Sequence, residues 1–187
     1  MKKEALEVIL THESADFDAV ASLLGASKLF PGAVPILPHR VNRNCADFVA
    51  LYGSELPLVA VSERPQGRIG RAILVDTQSF NMLKGMSKNL RVDIIDHHAL
   101  DRELPPDWHF TGVKLGAITT LLVEAISERS LHLNDIEATL LLLGIYEDTG
   151  SLSYESTTPR DVRAAAWLME RVQRDVGHNK FLHHPLT

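Results

Sequence analysis

Apolar residues along this chain follow two kinds of pattern, and the change between them marks a change of architecture. In the first part they form short runs at 7–10, 34–37, 58–61, 72–75 and 91–95, rich in Val, Ile and Leu and without strict polar alternation. Runs of this length suit strands buried on both faces, as in a parallel sheet. Between them, residues 18–30 and 44–52 read as helices, closed by Pro31-Gly32 and by Gly53. Residues 80–89 are expected as a further short helix, weakened by Gly85. Beyond residue 110, the segments 117–128, 134–146 and 159–172 carry apolar residues at helical spacing. Asn134 and Glu137 supply a capping box, and Thr158 caps a helix that opens on Pro159, where a missing N–H costs nothing.

The pattern predicts an α/β fold: a three-layer domain with a mainly parallel central sheet of about five strands, flanked by helices, and a helical C-terminal third. One domain is expected over 1–175. Residues 176–187 are expected to hold a tail with one short helix, or the start of a linker to a second domain.

Composition narrows the class. A chain of 187 residues that is 45% hydrophobic supports a real core. No apolar run approaches the ~18 residues of a membrane span, and the charged start has no signal-peptide apolar region after it, so a soluble, cytoplasmic protein with no membrane partner is expected. The single cysteine, Cys45, fits a reducing compartment and ordinary packing. A net charge of −5 argues against broad attraction to nucleic acid. The basic clusters Arg40 and Arg43, then Arg64, Arg68 and Arg71, read as solvated surface charge, and His39, His109 and His132 as surface or packing residues.

The chemistry gathers at strand ends. The run at 7–10 leads into Thr11-His12-Glu13-Ser14-Ala15-Asp16-Phe17-Asp18, the run at 72–75 into Asp76, and the run at 91–95 into Asp96-His97-His98. In a parallel sheet the carboxyl ends of strands share one edge, where open α/β sheets place their sites. Asp148, just past the helical segment 134–146, is a fourth candidate. Imidazole and carboxylate together suit a divalent cation. An Asp at a strand end is often only a helix cap, and an isolated His pair is usually structural. An acidic triad, a strand-end Asp and a strand-end Asp-His-His together are hard to attribute to capping.

In these residues the sequence resembles the DHH phosphoesterase family, whose members include RecJ-type exonucleases, oligoribonucleases, cyclic-dinucleotide phosphodiesterases and family II inorganic pyrophosphatases. Four motifs occur in order: His12-x-x-x-Asp16-x-Asp18, Asp76 in Val75-Asp76-Thr77, Asp96-His97-His98, and Asp148 in Glu147-Asp148-Thr149-Gly150. The resemblance implies two metal ions, typically Mn2+, with Mg2+ or Co2+ tolerated. His12, Asp16 and Asp76 would hold one; Asp18, Asp76, His97 and Asp148 would hold the other, with Asp76 shared. It further implies that His98 faces the substrate phosphate and that Asp96 orients the histidines. Gly116-Ala117 is similar to a family segment near the site.

The implied partner is a phosphate-containing substrate, with a short oligonucleotide or nucleotide ranked above pyrophosphate. Family members generally carry a second, substrate-binding domain with a glycine-rich motif, which this chain lacks. The sequence is also similar to DHH domains fused to nucleotidyltransferase modules, which implies the N-terminal part of a larger protein. The alternative function is a noncatalytic, metal-binding regulatory domain of a multidomain nucleotidyltransferase or poly(A) polymerase-like protein, and a further alternative is inorganic pyrophosphatase or exopolyphosphatase-like activity.

Overall fold

A computed structural model describes residues 5–100 and 102–172. The chain runs β1 (Leu6–Leu10), α1 (Phe17–Leu29), β2 (Ala33–Leu37), α2 (Arg43–Tyr52), β3 (Val59–Ala60), β4 (Ile69–Val75), β5 (Met86–Asp96), β6 (Trp108–Gly112), α3 (Ile118–Glu128), α4 (Asp135–Asp148) and α5 (Pro159–Met169). The strands form one six-stranded sheet in the order β3-β2-β1-β4-β5-β6, every neighbour parallel. The expected α/β architecture with a parallel sheet and a helical C-terminal third is what forms.

The helix starts follow the caps. Asn134 accepts from the Glu137 N–H while Glu137 accepts from the Asn134 N–H, and Thr158 and Asp161 repeat that exchange ahead of Pro159. Asp16 caps α1 by accepting from the Ala19 N–H, and Asn42 caps α2.

Strand order decides where helices can lie. The crossovers β1-α1-β2 and β2-α2-β3 step in one direction from β1, so right-handed connections put α1 and α2 on the same face. Ile9, Ile73 and Val75 pack there with Leu23 and Ala26 of α1. Behind α1 lie α3 and α4, joined to it in a second core that includes Phe17, Val20, Leu24, Val123, Leu140 and Leu141. The remaining crossovers step the other way, and they are loops. Val8, Leu10, Ile36, Leu74, Val92 and Ile94 fill that second face, and among the described residues the partly buried apolar side chains against it, such as Phe80, Leu83 and Leu104, come from strands, loops and the 3-10 turn Val61–Glu63, with none from an α-helix.

Three expectations need correction. Residues 80–89 are not helical. Gly85 adopts φ +98, its carbonyl accepts from the Ile69 N–H, and β5 starts at Met86 beside Ile69. A side chain at Gly85 would strike the Gly67 carbonyl, so this turn requires glycine. The second correction is β6, absent from the expected strands. It is an edge strand paired only with β5, and its sequence Trp-His-Phe-Thr-Gly lacks the apolar run of a strand buried on both faces. Third, Arg64 is buried rather than solvated, donating to the carbonyls of Pro65 and Lys84, and Arg71 pairs with Asp93 at 2.6 Å and Glu7 at 3.1 Å. The expected tail helix and the boundary at 175/176 lie outside the described residues.

Candidate metal centre

The order 3-2-1-4-5-6 reverses direction between β1 and β4, and a cleft opens beyond the carboxyl ends of such neighbouring strands. His12 follows β1, Asp76 follows β4, and Asp96-His97-His98 closes β5, so three adjacent strands deliver the side chains to one edge. Asp148 arrives from the end of α4. His12, Asp16, Asp76, Asp96, His98 and Asp148 line a cleft of about 530 Å3.

Around it, His12, Asp16 and Asp76 form one group in which a ligand atom from each lies within 4.8 Å of the others; Asp18, Asp76, His97 and Asp148 form a second, and Asp76, Asp96, His97 and His98 a third. The first two coincide with the sets that the motifs imply. Asp76 belongs to both and offers each a different oxygen: Oδ2 lies 3.5 Å from His12 Nε2, and Oδ1 lies 3.6 Å from His97 Nε2. His97 Nε2 also lies 3.5 Å from Asp148 Oδ2. These separations exceed ordinary hydrogen bonds. They suit two donors each about 2.0–2.2 Å from a common cation. Asp76 Oδ1 and His97 Nε2 are moreover buried with no hydrogen-bond partner among the described residues. Buried polar atoms are rarely left so, and an ion is one of the explanations such a pair calls for. The residues present therefore fit a divalent metal.

Local structure fixes each donor. Both histidines engage a main-chain carbonyl through Nδ1, His12 with Glu13 at 2.9 Å and His97 with Leu115 at 3.1 Å, which leaves Nε2 of each as the ligating atom. Asp18, fully buried, accepts from the N–H groups of Ile118 at 2.8 Å and Thr119 at 2.9 Å, at the start of α3. That positive helix end holds the carboxylate in place. Asp76 adopts φ +53, a left-handed conformation that Asp tolerates better than most residues, and so turns out of β4.

The electrostatics show a site short of positive charge. Burial, then the neighbouring Asp76 and Asp148 carboxylates, push Asp18 well above the usual carboxylate range. Burial raises Asp76 as well, and it raises Asp148 to about 7, with Asp76 and Asp16 adding to the shift. His12 is raised to about 9, chiefly by its contact with Asp76. Asp148 also stands at the negative end of α4.

Asp96 takes a narrower part than the motifs imply. Its Oδ1 accepts from the His98 main-chain N–H at 3.2 Å and pairs with His98 Nδ1 at 2.9 Å, whereas His97 is held by Leu115. His98 is raised above the ordinary histidine value, mainly by that Asp96 contact. For Asp96, burial works upward, but the hydrogen bonds from His98 and Gln78 prevail and lower it.

Several supports were not visible in the sequence. Glu147, next to Asp148, accepts from the Phe17 N–H and from Asn42 Nδ2, tying the end of α4 to the start of α1. Asp161 accepts from the Gly116 N–H and from Thr120 Oγ1, which holds the segment carrying Leu115. Arg102 lines the cleft and donates to the Gln78 carbonyl. Glu147 had a faint signal in its position beside Asp148; Asp161 and Arg102 had none.

The fold and this cluster define an open α/β domain with a candidate metal centre at the carboxyl edge of its sheet. Residues 8–145 match the N-terminal domain of the DHH family, and the chain belongs to that family. It is similar to the A-adding tRNA nucleotidyltransferase of Geobacter sulfurreducens, 35% identical over 176 residues, which cover 89% of this chain and 20% of that protein. The protein of the same name from Aquifex aeolicus is 34% identical over 167 residues, covering 88% of this chain and 19% of its own length. The chain thus spans about a fifth of the curated relatives it matches. Its fold resembles that of a Methanococcus jannaschii candidate family II inorganic pyrophosphatase, with a TM-score of 0.71 at 22% identity, over 94% of this chain and 60% of that one.

Proposed function

We propose that the chain is a two-metal phosphoesterase domain, loaded with Mn2+ and acting on phosphodiester or phosphoanhydride bonds in short oligonucleotides or nucleotides, as the N-terminal part of a longer cytoplasmic protein. The observation that carries this reading is the split carboxylate of Asp76, with one oxygen facing His12 and the other facing an unpartnered His97 Nε2. Among the described residues no helix is long and apolar enough to cross a membrane.

His12, Asp16 and Asp76 would hold one ion, and Asp18, Asp76, His97 and Asp148 the other. Bound there, the pair supplies Lewis-acid stabilisation of charge developing on phosphoryl oxygens and acidifies a coordinated water. Four ionised aspartates against two divalent cations leave the site formally neutral, so an anionic phosphate can enter. Asp96 holds His98 by Nδ1 and raises its pKa, which favours the form whose Nε2 can donate to a phosphoryl or leaving-group oxygen. Arg102 adds a cation to the cleft wall.

The test is a Mn2+ hydrolysis screen with bis-p-nitrophenyl phosphate, a short oligoribonucleotide, a cyclic dinucleotide and pyrophosphate. Turnover of the oligoribonucleotide, lost together with metal binding in Asp76→Ala, is expected. Full Mn2+ stoichiometry in Asp76→Ala overturns the ligand set. A second reading, a noncatalytic metal-binding segment of a nucleotidyltransferase, draws on the relatives named above; metal binding with no turnover of any of the four substrates selects it.

A further inference from the structure

Beside the metal cleft lies a second cavity, of about 360 Å3, which nothing in the proposed chemistry uses. It opens beyond the ends of β1 and β2, against the 3-10 turn Val61–Glu63 and the segment that follows Asp76. Ile36, Pro38, Val61, Phe80 and Leu83 give it apolar walls. Thr11, Glu13, Ser79 and Asn81 add polar groups, and the buried Thr11 hydroxyl has no hydrogen-bond partner among the described residues. The Phe80 ring is seated on Trp108, with centroids 5.8 Å apart, and so is pre-positioned as a wall. His12 and Ser79 line both this cavity and the metal cleft, so the two are adjoining parts of one depression.

We infer that this cavity is a subsite for the heteroaromatic base of a nucleotide whose phosphate occupies the metal cleft. The inference rests on the phosphoesterase reading and names its substrate class. Small-molecule sites of roughly 300–1,000 Å3 combine apolar walls with a few placed polar groups, which is the character of this cavity. A flat base presents apolar faces to Val61, Phe80 and Leu83 and carries edge donors and acceptors for the Asn81 carboxamide. An aliphatic chain would bury those polar groups unpaired, which is costly. Bare inorganic phosphate gains nothing from the apolar walls. Glu13 adds an acceptor at the rim: its carboxylate is held by the Arg40 N–H at 3.2 Å and by Asn81 Nδ2 at 3.4 Å, with the Arg40 guanidinium 4.0 Å away.

Adenosine and adenosine 5′-monophosphate separate the base subsite from the metal site. Titrated into the metal-free chain and followed by amide NMR, adenosine is expected to shift resonances of Thr11, Asn81 and Leu83. Leu83→Trp, which fills the cavity, is expected to weaken adenosine about tenfold or more, a loss comparable to removing a base-stacking contact. Leu83→Met keeps the wall and is expected to bind as the parent does, which separates filling from misfolding. With Mn2+ present, the monophosphate should bind more tightly than adenosine, and Leu83→Trp should weaken it while leaving orthophosphate within about twofold. Absence of adenosine shifts at these residues, or equal loss of adenosine in Leu83→Trp and Leu83→Met, overturns the subsite. Adenosine binding at the cavity without any gain from phosphate and Mn2+ sustains the base subsite and overturns the metal-phosphate reading instead.

Discussion

At the scale of single residues, the site depends on which atom each side chain leaves free. His12 and His97 spend Nδ1 on main-chain carbonyls and keep Nε2 for the cluster, while His98 spends Nδ1 on Asp96 and keeps Nε2 for the cleft. Three histidines thus divide into two proposed ligands and one proposed proton donor. His98→Ala is expected to lower kcat about 10²–10⁴-fold with Mn2+ stoichiometry unchanged, and Asp96→Asn to lower it in the same direction; loss of metal in His98→Ala would place that ring among the ligands instead. The acid–base properties give a pH prediction. Asp148 is raised to about 7 from an unfolded value near ~3.9, and His12 to about 9 from near ~6.5. In both cases the folded state binds more protons than the unfolded state between the two values. The stability each contributes is therefore full below the unfolded value and lost as pH rises through the folded one. The metal-free chain should show a melting temperature that falls from about pH 5 to pH 9, and Mn2+ should flatten that decline and release protons on binding. A level metal-free profile would refute this account.

At the scale of elements, α1 is the strut between sheet and helical layer, and its approach to α3 and α4 sets the distance from Asp18 to Asp148. Glycine makes this approach possible. A Cβ at Gly144 would stand 2.7 Å from Ala21 Cβ and 2.8 Å from Thr119 Oγ1, and one at Gly25 would stand 2.9 Å from Leu122 Cβ. Gly144→Val is accordingly expected to destabilise the chain by about 1–3 kcal/mol in urea unfolding, through overpacking. It should also weaken Mn2+ binding, because α4 carries Asp148 and Glu147. Unchanged stability would show that the two helices have room to separate. Asp161 braces the same layer from α5. Its carboxylate is lowered because the hydrogen bonds from Thr120, Thr158 and Gly116 outweigh burial, and Asp161→Ala, monitored by thermal unfolding, should cost about 1–3 kcal/mol by leaving those donors unpaired.

At the scale of the whole molecule, the sheet order places the site. The short apolar runs at 7–10, 34–37, 72–75 and 91–95 were readable as strands because they lie inside the sheet with a neighbour on each side, the run at 58–61 because it is apolar throughout although β3 is an edge strand, and the caps Asn134 and Thr158 because they satisfy donors of the next turn. The edge strand β6 was not, since one neighbour and an open flank impose no apolar run. The segment 80–89 was misread because pairing of Met86 with Ile69 and the turn at Gly85 outweigh local helix preference. Residue identity and spacing were enough for the four metal motifs: His12, Asp16 and Asp18 fall within one turn, and the others sit where apolar runs stop. Sequence by itself determined the candidate ligands and the strand ends on which they stand, because ligand type and burial pattern are local properties. Tertiary structure alone decided that Asp76 turns one oxygen to each group, that Leu115 rather than Asp96 holds His97, that Asp161 and Glu147 brace the site, and that an apolar cavity adjoins it. Those outcomes depend on contacts between segments up to about 130 residues apart in the chain, whose meeting follows from the order and handedness of the crossovers.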